Sequence, residues 1–113
     1  MSANQCQLIK KYFNSLIQEF IKDSRHKNIS ISFISSFPDD PDQAGSTRWK
    51  RENGIVTYEV EFLNDIAKES GDEERFRGTV CHEFTHVWLF SQGERKHKHD
   101  DRFYSKIDYF ETG

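Results

Sequence analysis

The dipeptide Asn53-Gly54 restricts the folds open to this chain more than any other local feature of its sequence. It stands between residues 47–52 and residues 55–62, and the second of these segments is rich in strand-forming residues. A type I′ turn needs positive φ at both central residues, and Asn followed by Gly adopts these angles at low cost. We therefore expect a two-stranded β-hairpin. The second strand alternates apolar and polar side chains, and its apolar face carries Val56, Tyr58, Val60 and Phe62.

A helix and a third strand are predicted ahead of the hairpin. Over residues 2–22 apolar side chains pair up every four positions, which predicts an amphipathic helix of about five turns. Residues 28–35 alternate apolar and polar side chains, so we expect a half-buried strand that packs on this helix. Residues 36–46 contain both prolines and three aspartates, and we expect a mobile loop. His26, in the turn before the strand, is expected at the surface.

A second long helix is predicted over residues 72–90. Ser70 and Glu73 resemble a capping box that opens it, and a short helical stretch at residues 65–69 precedes it. Its apolar residues recur at helical spacing and predict one buried face, made of Phe76, Val80, Phe84, Val87 and Trp88.

A short third helix ends the chain. We expect a loop over residues 91–98, after which Asp100 and Asp101 suit a helix start because acidic groups are stabilised there. The predicted fold class is α+β: a minimal domain with an N-terminal helix, a small three-stranded sheet containing the hairpin, a long central helix and a short C-terminal helix.

Composition narrows the class of protein. The chain has 113 residues, 35% of them hydrophobic, and a formal net charge of -3. This length suits one domain over residues 1–113. The charge argues against binding that depends mainly on neutralising phosphate or anionic lipid. No apolar run reaches the roughly 18 residues of a membrane span, the N-terminus lacks a signal-peptide pattern, and the two cysteines suit a reducing compartment. We expect an intracellular protein, cytoplasmic or nuclear.

The second long helix contains the pattern H-E-x-x-H at His82, Glu83 and His86. At about 100° per residue, the two histidines lie one turn apart and about 40° apart around the axis, so both can reach one metal ion. Zinc lowers the pKa of a bound water to about 7, and a carboxylate beside it can take the proton and pass it to a leaving amine. We expect His82 and His86 to bind Zn2+ and Glu83 to be the general base and acid.

A catalytic zinc site takes three protein ligands, and the third must come from further along the chain. His99 is favoured because it opens the third helix, so that the loop can fold it back to the metal. His97, in a lysine-rich loop, and Glu111, on or just past the third helix, remain alternatives. Tyr104 and Tyr109 are candidates for stabilising the oxyanion.

Two segments resemble a known family. Residues 79–90, TVCHEFTHVWLF, and the segment HDDRF from His99 to Phe103 are similar to the SprT-like and WLM (Spartan-type) zincin metallopeptidases. Residues 61–64 resemble the end of the strand before that family's active-site helix. In the family the third zinc ligand is a histidine followed four residues later by an aromatic residue, as His99 is by Phe103. The resemblance covers about residues 47–110 and implies His99 as the third ligand.

The resemblance implies a zincin-like fold and a zinc-dependent endopeptidase that acts on proteins crosslinked to DNA. Its partners would be a protein or peptide substrate lying along the sheet edge and DNA, without a membrane, and we expect a monomer. Family members usually carry a cysteine-rich DNA-targeting module, which two cysteines cannot form. The candidate phosphate contacts are therefore basic residues of the domain itself, namely Arg48, Lys50, Arg51 and the run at residues 95–98.

Two other interpretations stay open. In the first, zinc joins two helices of a protein-interaction module without turnover, although such a structural site has no need of Glu83 beside His82. In the second, the chain is a minimal zincin unrelated to DNA repair, with Glu111 as the third ligand. The family's usual glycine after His99 is Asp100 here, which is a departure from its pattern.

Overall fold

The computed structural model describes residues 3–40, 43–64, 73–94 and 99–112. The elements in chain order are α1 (Ala3–Phe20), a 3-10 turn (Ser24–His26), β1 (Asn28–Ile34), β2 (Gly45–Glu52), β3 (Ile55–Leu63), α2 (Glu73–Ser91) and α3 (Asp101–Thr112). This arrangement confirms the predicted α+β class, with its N-terminal helix, hairpin, long central helix and short C-terminal helix. None of the helices described is long and apolar enough to cross a membrane.

The three strands form a mixed sheet in the order β1-β3-β2, so β3 is central. β2 and β3 are antiparallel, with Glu52 opposite Ile55. The predicted turn between them is confirmed, because φ is 53° at Asn53 and 79° at Gly54. β1 runs parallel to β3. β2 is therefore an edge strand of this sheet, and one side of its backbone has no neighbouring strand among the described residues.

α1 and α2 cover the apolar face of the sheet. Phe13 of α1 lies edge-on to Phe62 of β3 and to Phe84 of α2, with ring centroids 6.3 and 5.7 Å apart. All three rings are fully buried, and burying each contributes roughly 1.5–3 kcal/mol. The predicted apolar face of β3 is confirmed by the burial of Val56, Tyr58, Val60 and Phe62. This core holds α2 with one side against the sheet.

α2 ends in a Schellman motif at Gly93, where φ is 86°. The Glu94 amide donates to the Leu89 carbonyl at 2.9 Å and the Gly93 amide donates to the Phe90 carbonyl at 3.0 Å. This pattern stops a helix because the positive φ turns the chain away from the axis, a conformation that glycine adopts without steric cost. The Schellman motif therefore fixes the end of α2.

α3 begins at the two aspartates, where a helix start was predicted, and Asp100 caps it. The Asp100 carboxylate accepts a hydrogen bond from the Phe103 amide at 3.1 Å. An ion pair between Arg102 and Glu94 joins the start of α3 to the end of α2. At its other end α3 buries Phe110 in the core. α3 consequently packs on α2, with His99 just before its first turn.

The prediction of a loop over residues 36–46 was wrong at its end. Gly45 and Ser46 belong to β2, where they lie opposite Phe62 and Glu61. The strand starts earlier than side-chain alternation indicated because its register is set by continued pairing with β3.

The prediction that His26 lies at the surface was also wrong. Its side chain is only 19% exposed, and its Nδ1 lies 2.8 Å from the hydroxyl of Tyr58. The 3-10 turn places the imidazole there because Tyr58 is fully buried and its hydroxyl requires polar neighbours. His26 therefore belongs to the packing of β3.

Several predictions lie outside the described residues. These are the short helical stretch at residues 65–69, the capping residue Ser70, and the basic run at residues 95–98, which includes His97.

Candidate metal centre and the cleft beside it

His82 and His86 lie one turn apart on the same side of α2, and His99 reaches them from the start of α3. The ring centroids of His82 and His86 are 5.1 Å apart, and each lies 5.0 Å from that of His99. The Nε2 atoms of His86 and His99 are 3.1 Å apart. One nitrogen from each ring lies within 4.8 Å of the other two. The structure therefore brings these three predicted ligands together.

This donor set fits a transition-metal ion. In a tetrahedral zinc site, bonds of about 2.0–2.1 Å place two ligand nitrogens about 3.3 Å apart, close to the spacing of His86 and His99. Burial lowers the pKa of His82, and the nearby His99 lowers it further. A lowered pKa keeps an imidazole in the neutral form that binds metal. Geometry and protonation thus both suit metal binding.

Phe103 forms the floor beneath the three imidazoles. Its ring centroid lies 4.9 Å from that of His82, 4.6 Å from that of His86 and 4.8 Å from that of His99. The ring is 1% exposed, so its own position is fixed by packing. Phe103 therefore limits the rotation of all three histidines.

Glu83 is buried on the neighbouring side of α2. It is 4% exposed, and its Oε1 accepts a hydrogen bond from the Thr47 hydroxyl at 2.7 Å. Burial raises the pKa of the Glu83 carboxyl to about 7, and the hydrogen bond from Thr47 opposes this rise. A carboxyl group with such a pKa accepts and releases protons near neutral pH.

A cleft of about 670 Å³ lies between α2 and the start of β2. The three histidines and Glu83 line it together with residues of α2 and of the chain entering β2, namely Asp40, Gln43, Ala44, Gly45, Ser46, Thr47, Gly78 and Thr79. At its edge the side-chain amide of Gln43 donates to the carbonyl of Gly45 at 2.7 Å. The three histidines and Glu83 therefore share one cleft with the start of β2.

The alternative third ligands are placed differently. Glu111 is exposed on α3, and the group of potential metal ligands found among the described residues consists of His82, His86 and His99 without it. His97 lies outside those residues. Of the tyrosines considered for the oxyanion, Tyr104 and Tyr109 are each about half exposed, and neither lines the cleft.

The basic residues of β2 lie next to acidic ones. Arg48 forms ion pairs with Glu61 at 2.9 Å and with Glu59 at 3.6 Å, and Lys50 pairs with Glu59 at 3.7 Å. Arg48, Lys50 and Glu59 are exposed and Glu61 is partly exposed, so each pair contributes about 1 kcal/mol or less. Their positive charge is nonetheless partly compensated on this face of the sheet.

Sequence reasoning missed the contacts that Thr47 and Gly45 make with Glu83. A Cβ at Gly45 would come within 2.9 Å of both Cγ and Oε2 of Glu83. Strand alternation does indicate that Thr47 lies on the core-facing side of its strand. Nothing in the linear sequence connects either residue to position 83.

The chain matches the family model described as the SprT-like family over residues 9–110. Because the match covers nearly the whole sequence, the chain belongs to the SprT-like family. Searches among curated proteins and among solved structures found no match.

Proposed function

We propose that this member of the SprT-like family is a zinc-dependent endopeptidase. One observation carries the proposal: a buried carboxyl, Glu83, lines the same cleft as the three convergent histidines. Structural zinc sites usually fill all four positions with protein ligands and need no carboxyl beside them. Three histidines with an adjacent glutamate are instead the arrangement of a hydrolytic site.

His82, His86 and His99 would hold the zinc ion. When bound, zinc supplies a Lewis acid that polarises a peptide carbonyl and acidifies water. Glu83 takes the proton of the attacking water and later delivers it to the leaving amine. The pKa of about 7 suits both steps, because the carboxyl is available in its basic and its acidic form near neutral pH.

The free edge of β2 is the proposed place for the substrate backbone. The Leu63 amide donates to the Ala44 carbonyl at 3.0 Å, so the main-chain groups of Ala44 point toward β3. Successive residues of a strand direct these groups to opposite sides, and those of Gly45 and Thr47 therefore point to the open edge. An extended peptide can pair there through main-chain hydrogen bonds that do not depend on its sequence.

The decisive experiment compares the wild type with Glu83→Gln on an unfolded protein substrate. We expect equal zinc content in both proteins and loss of cleavage in the variant, because the amide cannot accept the proton. Glu19→Gln is the matched control, since the same chemical change falls on an exposed residue of α1 and should leave cleavage unchanged.

The same experiment separates the main alternative, an interaction module in which zinc joins α2 to α3. That module would bind zinc but show no cleavage in the wild type. Equal cleavage by the wild type and Glu83→Gln would likewise remove Glu83 from the proposed role.

Action on proteins crosslinked to DNA is the finer part of the proposal, and it rests on family resemblance. The candidate phosphate contacts among the described residues are Arg48, Lys50 and Arg51 of β2. Phosphate would compete with Glu59 and Glu61 for Arg48 and Lys50. Single-stranded DNA at low salt should then increase the cleavage rate, and added salt should weaken this effect. If DNA changes neither binding nor rate, the endopeptidase proposal stands and its DNA part fails.

A further inference from the structure

A side-chain hydrogen bond from Thr47 joins the edge strand β2 to Glu83. Its hydroxyl donates to Glu83 Oε1 at 2.7 Å, and the backbone carbonyl of Glu83 lies 3.4 Å from the same hydroxyl. Thr47 lies opposite Val60, a fully buried residue, so its side chain is on the core-facing side of the sheet. The short bond to Glu83 is therefore made on the core-facing side of the sheet, to a side chain that is 4% exposed.

The main chain of the same residue points the other way. Because the backbone of Ala44 faces β3, the N–H and C=O of Thr47 face the open edge of β2. Thr47 thus presents its backbone to the position proposed for a substrate strand and its hydroxyl to the proposed base. Both groups belong to one residue, so covalent bonds limit the distance between the Thr47 main chain and its hydroxyl.

Gly45 confines the other oxygen of the carboxylate. A Cβ added there would lie 2.9 Å from Oε2 and 2.9 Å from Cγ of Glu83, closer than such carbons normally approach. The carboxylate is therefore bounded by Gly45 on one oxygen and bonded to Thr47 on the other. Two residues of one edge strand define its orientation.

We propose that Thr47 is a positioning residue that fixes the Glu83 carboxylate relative to the substrate backbone bound along β2. The inference rests on the proposed endopeptidase function and deepens it. Substituting Val for Thr removes the hydroxyl but keeps the branched shape and the main chain. Chemistry should then suffer while binding of the extended peptide does not.

The test compares Thr47→Val, Thr47→Ser and the control Thr57→Val, which makes the same change on the opposite face of β3. We expect kcat of Thr47→Val to fall by roughly 10- to 100-fold with KM within about 2-fold of the wild type. Thr47→Ser should restore kcat to within about 3-fold of the wild type, since it keeps the hydroxyl. Thr57→Val should be unaffected. Zinc content and melting temperature are measured for each protein.

A second variant covers the case in which Thr47→Val fails to fold. Gly45→Ala keeps the Thr47 hydroxyl but pushes the carboxylate aside, so kcat should fall while zinc content is retained. Wild-type kcat in folded Thr47→Val, or a loss in Thr47→Ser as large as in Thr47→Val, overturns the proposal.

A readout independent of cleavage separates this inference from the function on which it rests. Scalar couplings of Glu83 in the metal-free protein should report one side-chain rotamer in the wild type and in Thr47→Ser, and averaging in Thr47→Val. Absence of cleavage by the wild type with these couplings as expected would refute the endopeptidase but not the positioning. Identical couplings in the wild type and Thr47→Val would refute the positioning itself.

Discussion

The ring of Phe103 lies 4.6 Å, centroid to centroid, from that of His86, and it touches the other two histidines of the cluster at similar distances. A buried apolar ring thus packs against all three of the candidate metal ligands. A substitution at Phe103 therefore tests how packing alone affects metal affinity, because the three histidines stay unchanged.

Phe103→Leu should weaken zinc binding by on the order of 10-fold, because residues that orient ligands contribute about this much. Phe110→Leu is the matched control, since it removes an equally buried ring of α3 that makes none of these histidine contacts. Both changes should lower the unfolding free energy by about 1 kcal/mol or more. Competition with a chelator measures the affinity, and equal affinity in the two variants would contradict the orienting role.

His99→Ala should lose zinc at stoichiometric concentration, whereas Glu111→Ala should retain one zinc ion per chain. The reason is positional, because His99 lies with His82 and His86 while Glu111 is exposed on α3. Metal analysis after dialysis gives the answer. One zinc ion per chain in His99→Ala would mean that another residue is the third ligand.

Glu83→Gln should stabilise the metal-free protein more at pH 8 than at pH 5. Burial raises the pKa of Glu83 from 4.5 to about 7, so between these values the folded protein holds a proton that the unfolded chain releases. The contribution to stability is therefore fully present below pH 4.5 and is lost as the pH rises through about 7. Glutamine is neutral throughout and keeps it, which gives a difference of at most about 3 kcal/mol at pH 8.

Chemical denaturation of the metal-free proteins at both pH values measures this difference. Glu19→Gln, which makes the same change at an exposed residue of α1, is measured beside it at both pH values. An equal effect of Glu83→Gln at pH 5 and pH 8 would mean that the carboxyl titrates normally.

His26→Ala should lower the unfolding free energy by about 1 kcal/mol through loss of its hydrogen bond to Tyr58. A double-mutant cycle with Tyr58→Phe isolates this interaction from the other contacts of the two side chains. The expected coupling energy is about 1 kcal/mol, measured by urea denaturation. A coupling near zero would show that the 2.8 Å contact does not contribute to stability.

The parts of the fold that follow from local chemistry were predictable. Asn53-Gly54 specified the hairpin because few other residue pairs adopt two successive positive φ angles. His82 and His86 share one side of α2 because helical spacing alone requires it. The helix start at Asp100 and Asp101 was predictable too, and with it the position of His99 just before α3.

The parts of the fold that depend on contacts between distant elements could not be predicted from the sequence. The strand order β1-β3-β2, with β1 parallel to β3, leaves no mark in the alternation of either strand. The sequence around His26 is typical of a protein surface. His26 is nevertheless partly buried, because its imidazole pairs with the buried hydroxyl of Tyr58. Thr47 and Gly45 contact Glu83 only because β2 packs against α2 in the folded protein.

The hydrogen bond from the Gln43 amide to the Gly45 carbonyl bears on which chains can reach the cleft. An open strand edge attracts the exposed edges of other proteins, and this side chain already occupies one of the acceptors that such an edge would use. Another strand that pairs at this point has to displace the Gln43 amide. The hydrogen bond therefore makes the edge of β2 a poorer template for the sheet edges of other proteins.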